Sequence, residues 1–145
     1  MESCTACEAT PGVVEFFAEG RGLHDITGDV SAVVRKAGLK TGLCLVFVPH
    51  TSASVLIQEN ADPTARQDLE RWFERAAPDG DPVYRHDAEG PDDMPSHIRT
   101  ALTSTSETIP VVSGELGLGT WQGLYLFEHR LRPGRRTVIV HVWGE

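Results

Sequence analysis

Apolar runs and alternating apolar–polar segments rich in β-branched residues recur along this chain and predict strands at residues 13–18, 43–48, 54–58, 108–112, 124–129 and 137–143. Two segments carry the helical period instead. Val30, Val33, Val34 and Ala37 fall at i, i+3, i+4 and i+7, with Thr27 or Asp29 as candidate cap and Gly38 as terminator. Leu69, Trp72, Phe73 and Ala76 form a second stripe, opened by Asp62 as N-cap and Pro63 in the first turn. Residues 83–95 carry neither period and read as a loop, followed by a short helix over residues 96–103. Residues 24–27 read as a connector. Pro133-Gly134 marks a turn, and the last three strands are expected to form an antiparallel meander. The sum is an α+β fold of antiparallel sheets with about three helices.

At 145 residues the chain is long enough for a single domain with a sizeable core. Residues 1–11 are expected to be disordered and 12–145 to form the domain. A formal net charge of −8 argues against broad nucleic-acid binding. Arg130, Arg132, Arg135 and Arg136 form a local basic excess, which reads as a solvated hairpin loop or as a pocket for a small anion. No apolar run approaches the ~20 residues of a membrane span, and the N-terminus lacks the features of a signal peptide. A cytoplasmic protein is therefore expected. Cys4 and Cys7 have metal or redox spacing but lack a second pair, and Cys44 lies in an apolar strand.

Candidate chemistry concentrates between residues 48 and 60, where His50, Thr51 and Ser52 sit between two strands and Glu59 and Asn60 close the stretch. Of the six histidines, His86 and His97 flank the irregular loop, with His97 expected in the first turn of the third helix. Three imidazoles with an open fourth position describe a catalytic zinc-type site, and Glu59, Asp87, Asp92 and Asp93 are possible further ligands. His129 and His141 alternate with apolar residues and read as packing or interface residues. Gly114, Gly117, Gly119 and Gly123 surround Thr120, Trp121 and Gln122, as backbone amides for phosphate or as plain hairpin geometry. Glu128 shares a strand face with Leu124 and Leu126. If buried it must be paired or ligated, so it reads as an active-site acid or as a strand-end residue leaving the core. A serine hydrolase is excluded, because no Gly-x-Ser-x-Gly elbow is present.

These residues together resemble the YjbQ (UPF0047) family, also described as secondary thiamine-phosphate synthase. The matching pieces, in order, are His50 to Ser54, Glu59 and Asn60, Tyr84 to His86, His97 and Ile98, Ile109 and Pro110, and Leu118 to Leu126 with Glu128. The resemblance implies a two-sheet antiparallel β-sandwich carrying helices, a homotrimer, and a histidine-lined metal pocket close to a subunit interface. His50, His86 and His97 match the family's histidines and are the implied metal ligands. The loop 90–96 differs from that of many members, which counts against Asp92 and Asp93 as ligands. The implied reaction joins a pyrimidine diphosphate to a thiazole phosphate and releases pyrophosphate. It calls for a divalent metal, Zn²⁺ or Mg²⁺, and imidazole suits Zn²⁺ or Ni²⁺ better than Mg²⁺. Glu59 or Glu128 would be the acid or base. Thr51, Ser52, Asn60, Arg85, Gly119, Thr120, Trp121 and Gln122 would bind the small phosphorylated substrate. The alternatives are a metal-dependent hydrolase of a small anionic ester and a non-catalytic trimeric metal- or anion-binding protein.

Overall fold

The structure, a computed structural model, describes residues 8–145. The elements run β1 (Glu8–Ala18), β2 (Gly22–Asp25), α1 (Thr27–Ala37), β3 (Thr41–Phe47), β4 (Ala53–Glu59), α2 (Pro63–Ala76), α3 (Asp93–Leu102), β5 (Ser106–Val112), β6 (Glu115–Leu116), β7 (Gln122–Glu128) and β8 (Gly134–Gly144). They build two antiparallel sheets, one in the order β1-β8-β3-β5-β6 and the other β2-β7-β4. This is the expected α+β sandwich with three helices. No helix among the described residues is long and apolar enough to cross a membrane.

The helix boundaries follow from local chemistry. Asp62 caps α2, accepting the Thr64 N–H at 2.9 Å, and Pro63 occupies the first turn, where no donor is needed. Gly38 ends α1 with φ 71°, a left-handed conformation that glycine adopts without strain. The cap of α1 differs from the expectation. Asp25, not Thr27 or Asp29, supplies the carboxylate, accepting the Thr27 N–H at 2.9 Å. The Thr27 hydroxyl instead accepts the Leu124 N–H at 2.9 Å and ties the helix start to β7.

Three other expectations are corrected. His24 and Asp25, expected in a connector over residues 24–27, belong to β2, because Gly22 to Asp25 pair with Glu128 to Tyr125 at the edge of the smaller sheet. The strands after α3 do not form a meander. Ser113 (φ 52°) and Gly114 (φ 81°) reverse the chain tightly, so β6 folds back on β5. The chain then crosses to the other sheet for β7 and returns for β8, which pairs with β1 and β3. The first strand is also longer than expected, beginning at Glu8. Cys4 and Cys7 lie outside the described residues.

The main core lies between the sheets, where Val46, Val55, Leu124, Leu126, Val138, Val140 and Val142 meet Ile26, Val30 and Val34 of the α1 region, all essentially sealed from solvent. Cys44 belongs to this core, as expected, and burial pushes its thiol up to about 11. A second, smaller core forms on the other face of β7, where Leu23, Tyr125 and Phe127 pack under Phe73 of α2. Trp72 and Ala76, expected in the buried stripe of α2, are exposed. The outer face of the larger sheet is uncovered. Val13, Ile139 and Phe47 lie opposite one another across β1, β8 and β3, and Trp143, Leu43 and Pro110 form a further row. Val13, Leu43 and Phe47 are exposed there.

The layering predicts a graded response in urea unfolding. Leu126→Ala, at the sealed centre, should lose about 2–5 kcal/mol. Asp62→Ala, which removes only a helix cap, should lose about 1 kcal/mol.

Candidate functional site

Asp93 opens α3, and His97 follows one turn later, so the two side chains share a helix face. The carboxylate is buried and is held by Arg130, whose Nη1 donates to Asp93 Oδ1 at 2.6 Å. The same arginine binds Asp92, with Nε donating to Oδ2 at 3.0 Å, and the Leu131 N–H adds a 2.9 Å bond to that oxygen. Burial pushes the Asp92 carboxyl up, but the Leu131 N–H and the Arg130 guanidinium outweigh it and hold it below its ordinary value.

The loop before α3 brings His86 over this carboxylate. His86 Nε2 lies 2.8 Å from Asp93 Oδ2, and His97 Nε2 lies 3.6 Å from Oδ1. The two imidazole centroids are 5.1 Å apart. His97 Nδ1 donates to the Thr51 carbonyl at 3.2 Å. A carbonyl only accepts, so the proton of the neutral ring sits on Nδ1 and the Nε2 lone pair faces Asp93. Oδ2 of Asp93, although buried and close to His86, has no hydrogen-bond partner of acceptable geometry. A buried carboxylate oxygen in that state is costly unless a cation takes it up. His86, Asp93 and His97 together offer one ligand atom each, all within 4.8 Å of one another. Two nitrogens and one carboxylate oxygen fit a divalent ion with open positions.

A second group adjoins the first through Thr51. Glu128, at the end of β7, is 1% exposed and is gripped by Arg136, whose Nε and Nη2 each donate to one carboxylate oxygen at 2.6 Å. Arg136 Nη2 also reaches the Ser52 hydroxyl at 2.8 Å, and the Arg130 N–H donates to Glu128 Oε1 at 3.0 Å. His50 accepts the Thr137 N–H on Nε2 at 2.9 Å. Burial, and then the Arg136 guanidinium, hold its pKa below the ordinary value, so the ring is neutral near pH 7. His50, Thr51, Ser52 and Arg136 line an open hollow of about 460 Å³.

The structure thus rearranges the expected site. His86 and His97 converge as expected, but within one chain the third member of their cluster is Asp93, while His50 has its Nε2 occupied by a backbone amide. Thr51, Ser52 and Glu128 belong to the same region. Arg85 is exposed in the loop beside His86. Glu59, Asn60, Gly119, Thr120, Trp121 and Gln122 lie elsewhere. In β4 and β7 Ala53 pairs with Glu128 but Glu59 pairs with Gln122, which sets the two ends about 20 Å apart. There the Gln122 side chain accepts the Gly119 N–H at 2.7 Å, and Asn60 Nδ2 donates to the Thr120 and Gln122 carbonyls at 3.3 and 3.2 Å. The Gly119 amide is therefore already satisfied, and Trp121 is exposed. Sequence reasoning offered Asp93 only as a possible further ligand, and Arg130 and Arg136 only as part of a local basic excess, without joining them to the histidines. The i, i+4 spacing of Asp93 and His97 was available, but the expected helix began three residues too late to use it.

His129 is sealed in the outer face of the smaller sheet, with Nε2 at 2.8 Å from the Ser54 hydroxyl. Burial, followed by the Arg99, Arg21 and Arg136 guanidinia, drives its pKa down to about 3.

The family profile described as UPF0047 protein YjbQ-like matches residues 14–145. A UPF0047 protein of Synechocystis sp. is 59% identical over 88% of this chain and 86% of its own length. The UPF0047 protein YjbQ of Escherichia coli is 43% identical over 88% of this chain and 93% of its own. Among solved structures, a conserved hypothetical protein of Thermus thermophilus superposes with a TM-score of 0.80 at 35% identity, covering 89% of this chain and 97% of that one.

His129 makes stability pH-dependent with a definite sign. The unfolded chain takes up a proton near pH 6.5, which the folded chain refuses until about pH 3. This contribution is therefore complete above pH 6.5 and is lost as the pH falls towards 3. Urea unfolding of the wild type should lose about 2–3 kcal/mol between pH 7 and pH 4.5 from this group alone. His129→Asn should show a correspondingly flatter slope.

Proposed function

The chain belongs to the UPF0047 YjbQ-like family, and on that premise we propose that it is a metal-dependent enzyme acting on a small phosphorylated substrate, by group transfer of the thiamine-phosphate synthase type. The observation that carries this reading is the convergence of His86, Asp93 and His97 around an orphaned carboxylate oxygen, beside a hollow lined by Arg136. Two imidazoles and one carboxylate suit Zn²⁺, whereas Mg²⁺ favours oxygen ligands. When bound, the ion would act as a Lewis acid on a phosphoryl oxygen.

The protein's own groups supply the rest. Arg130 orients the Asp93 carboxylate, and the Thr51 carbonyl orients His97. Arg136, aimed by Glu128 and Ser52, presents a fixed guanidinium to phosphate oxygens. Glu128 then acts as the arginine's anchor rather than as a proton donor. His50, neutral with Nε2 accepting a backbone N–H, turns its Nδ1–H into a hydrogen-bond donor. The uncovered apolar face of the larger sheet supports a homotrimer, because other copies would remove Val13, Leu43, Phe47 and Val112 from water.

Elemental analysis of the purified protein should find about one divalent metal per chain, lost in His86→Ala and in Asp93→Asn. Pyrophosphate release from the pyrimidine diphosphate and thiazole phosphate pair should fall at least about 100-fold in both variants. Wild-type metal content and activity in Asp93→Asn would sink the metal reading. Metal retention with no transfer, but with turnover of an anionic ester, would reassign the site to hydrolysis. Sedimentation should give about three times the 15.8 kDa chain mass, shifting to the monomer in Phe47→Asp.

A further inference from the structure

Most arginines placed around the inner ends of β2 and β7 have a counter-ion. Arg21 makes a two-pronged contact with Asp79 at 2.7 and 2.8 Å, Arg130 binds Asp92 and Asp93, and Arg136 binds Glu128. Arg99 is different. It is 1% exposed, the largest fully buried side chain of the described residues. Nη2 donates to the Ala77 carbonyl at 3.2 Å, Nε has no hydrogen-bond partner, and the guanidinium forms no ion pair among the described residues. A buried cation in that condition is expensive to keep.

Arg99 lines a cavity of about 260 Å³ between α2 and α3, on the opposite side of α3 from His97. Phe127 and Leu131 supply its apolar wall, and Glu70 and Glu74, one turn apart on α2, line the same space. Glu70 lies against Gly22, where a Cβ would meet its Oε1 at 2.9 Å, and that oxygen accepts the Leu23 N–H at 2.8 Å. The Glu70 Oε2 and the Glu74 carboxylate make no hydrogen bond among the described residues. The cavity therefore presents an unpaired cation, free carboxylate oxygens and an apolar surface. Arg21 also lines the cavity but is already paired with Asp79, so the two carboxylates leave no excess positive charge for a polyanion such as a free phosphate. The volume lies below the roughly 300–1,000 Å³ of sites for drug-sized molecules.

We propose that this cavity binds a small zwitterion of the amino-acid class. Its carboxylate pairs with Arg99, its ammonium group lies against Glu70 and Glu74, and its side chain rests on Phe127 and Leu131. The site shares none of the three candidate metal ligands, meeting that centre only through Leu131, whose backbone N–H supports Asp92, so either assignment can fail without the other.

The test is a ¹H–¹⁵N NMR titration of the full chain with L-alanine, L-leucine, acetate and methylammonium. Saturable shifts of the Gly22 and Leu23 amides are expected with the amino acids, with Kd of about 1 mM or tighter. Acetate and methylammonium should each bind at least about tenfold more weakly. Arg99→Met should lose the amino-acid response while melting at or above the wild-type temperature, because it removes an unpaired buried charge. Glu74→Gln, at an exposed position of α2, should weaken L-alanine but not acetate. Absence of saturable shifts at about 10 mM in the wild type overturns the proposal. So does unchanged affinity in Arg99→Met. If Arg99→Met does not fold, Glu74→Gln decides, and an undiminished preference for L-alanine over acetate overturns the assignment. Metal content should stay at the wild-type level in Glu74→Gln, which keeps this outcome distinct from a failure of the metal site.

Discussion

Burial of β7 on both faces is the constraint on which the rest of the structure depends. From Gly123 to His129 every residue of this segment is buried. Leu124 and Leu126 face the larger sheet, and Tyr125 and Phe127 face α2. A three-stranded sheet cannot bury both faces by itself, so one face needs the five-stranded sheet and α1, and the other needs α2. The two cores meet across this one strand. The polar residues at its end, Glu128 and His129, are consequently carried into the interior and must be satisfied there.

The means of satisfying them also builds the candidate site. Glu128 is answered by Arg136, from the start of β8, and Asp92 and Asp93 by Arg130, from the short segment that follows β7. Removing one partner of such a pair strands the other without water, which is why these groups form a rigid frame. The frame presents His97 and Asp93 from α3, His86 from the loop before it, and Ser52 from the turn before β4. Structural necessity and candidate chemistry therefore use the same ion pairs. Arg99 stands outside this scheme, because its guanidinium makes no ion pair among the described residues.

The departures from the sequence-based expectation have related causes. A β-meander is the simplest path for three successive strands, and nothing local to β7 records that it leaves one sheet for another. The tight reversal at Ser113 and Gly114 absorbs β6 into a hairpin, and the glycines expected to hold phosphate serve turn geometry with Gln122 and Asn60. The family resemblance groups His50 with His86 and His97 as implied metal ligands. Register places the Thr137 N–H on the Nε2 of His50 and leaves only its Nδ1 open. The unusual loop 90–96 counts against Asp93 in the sequence, and its place beside His97 rests on α3 beginning at that residue.

The sequence by itself determined the fold class, the place of most strands, the caps at Asp62 and Gly38, and the two histidines that converge on Asp93. These are short-range matters of period, turn chemistry and residue type, which act within a few neighbours along the chain. Only the tertiary structure decided which strands pair, which histidine joins which carboxylate, and which arginine is buried without an ion pair among the described residues. Those outcomes depend on contacts between residues tens of positions apart, such as Arg130 with Asp92 and Arg136 with Ser52. Long-range pairing is settled by the competition of whole faces for burial, a quantity that no local stretch of sequence contains.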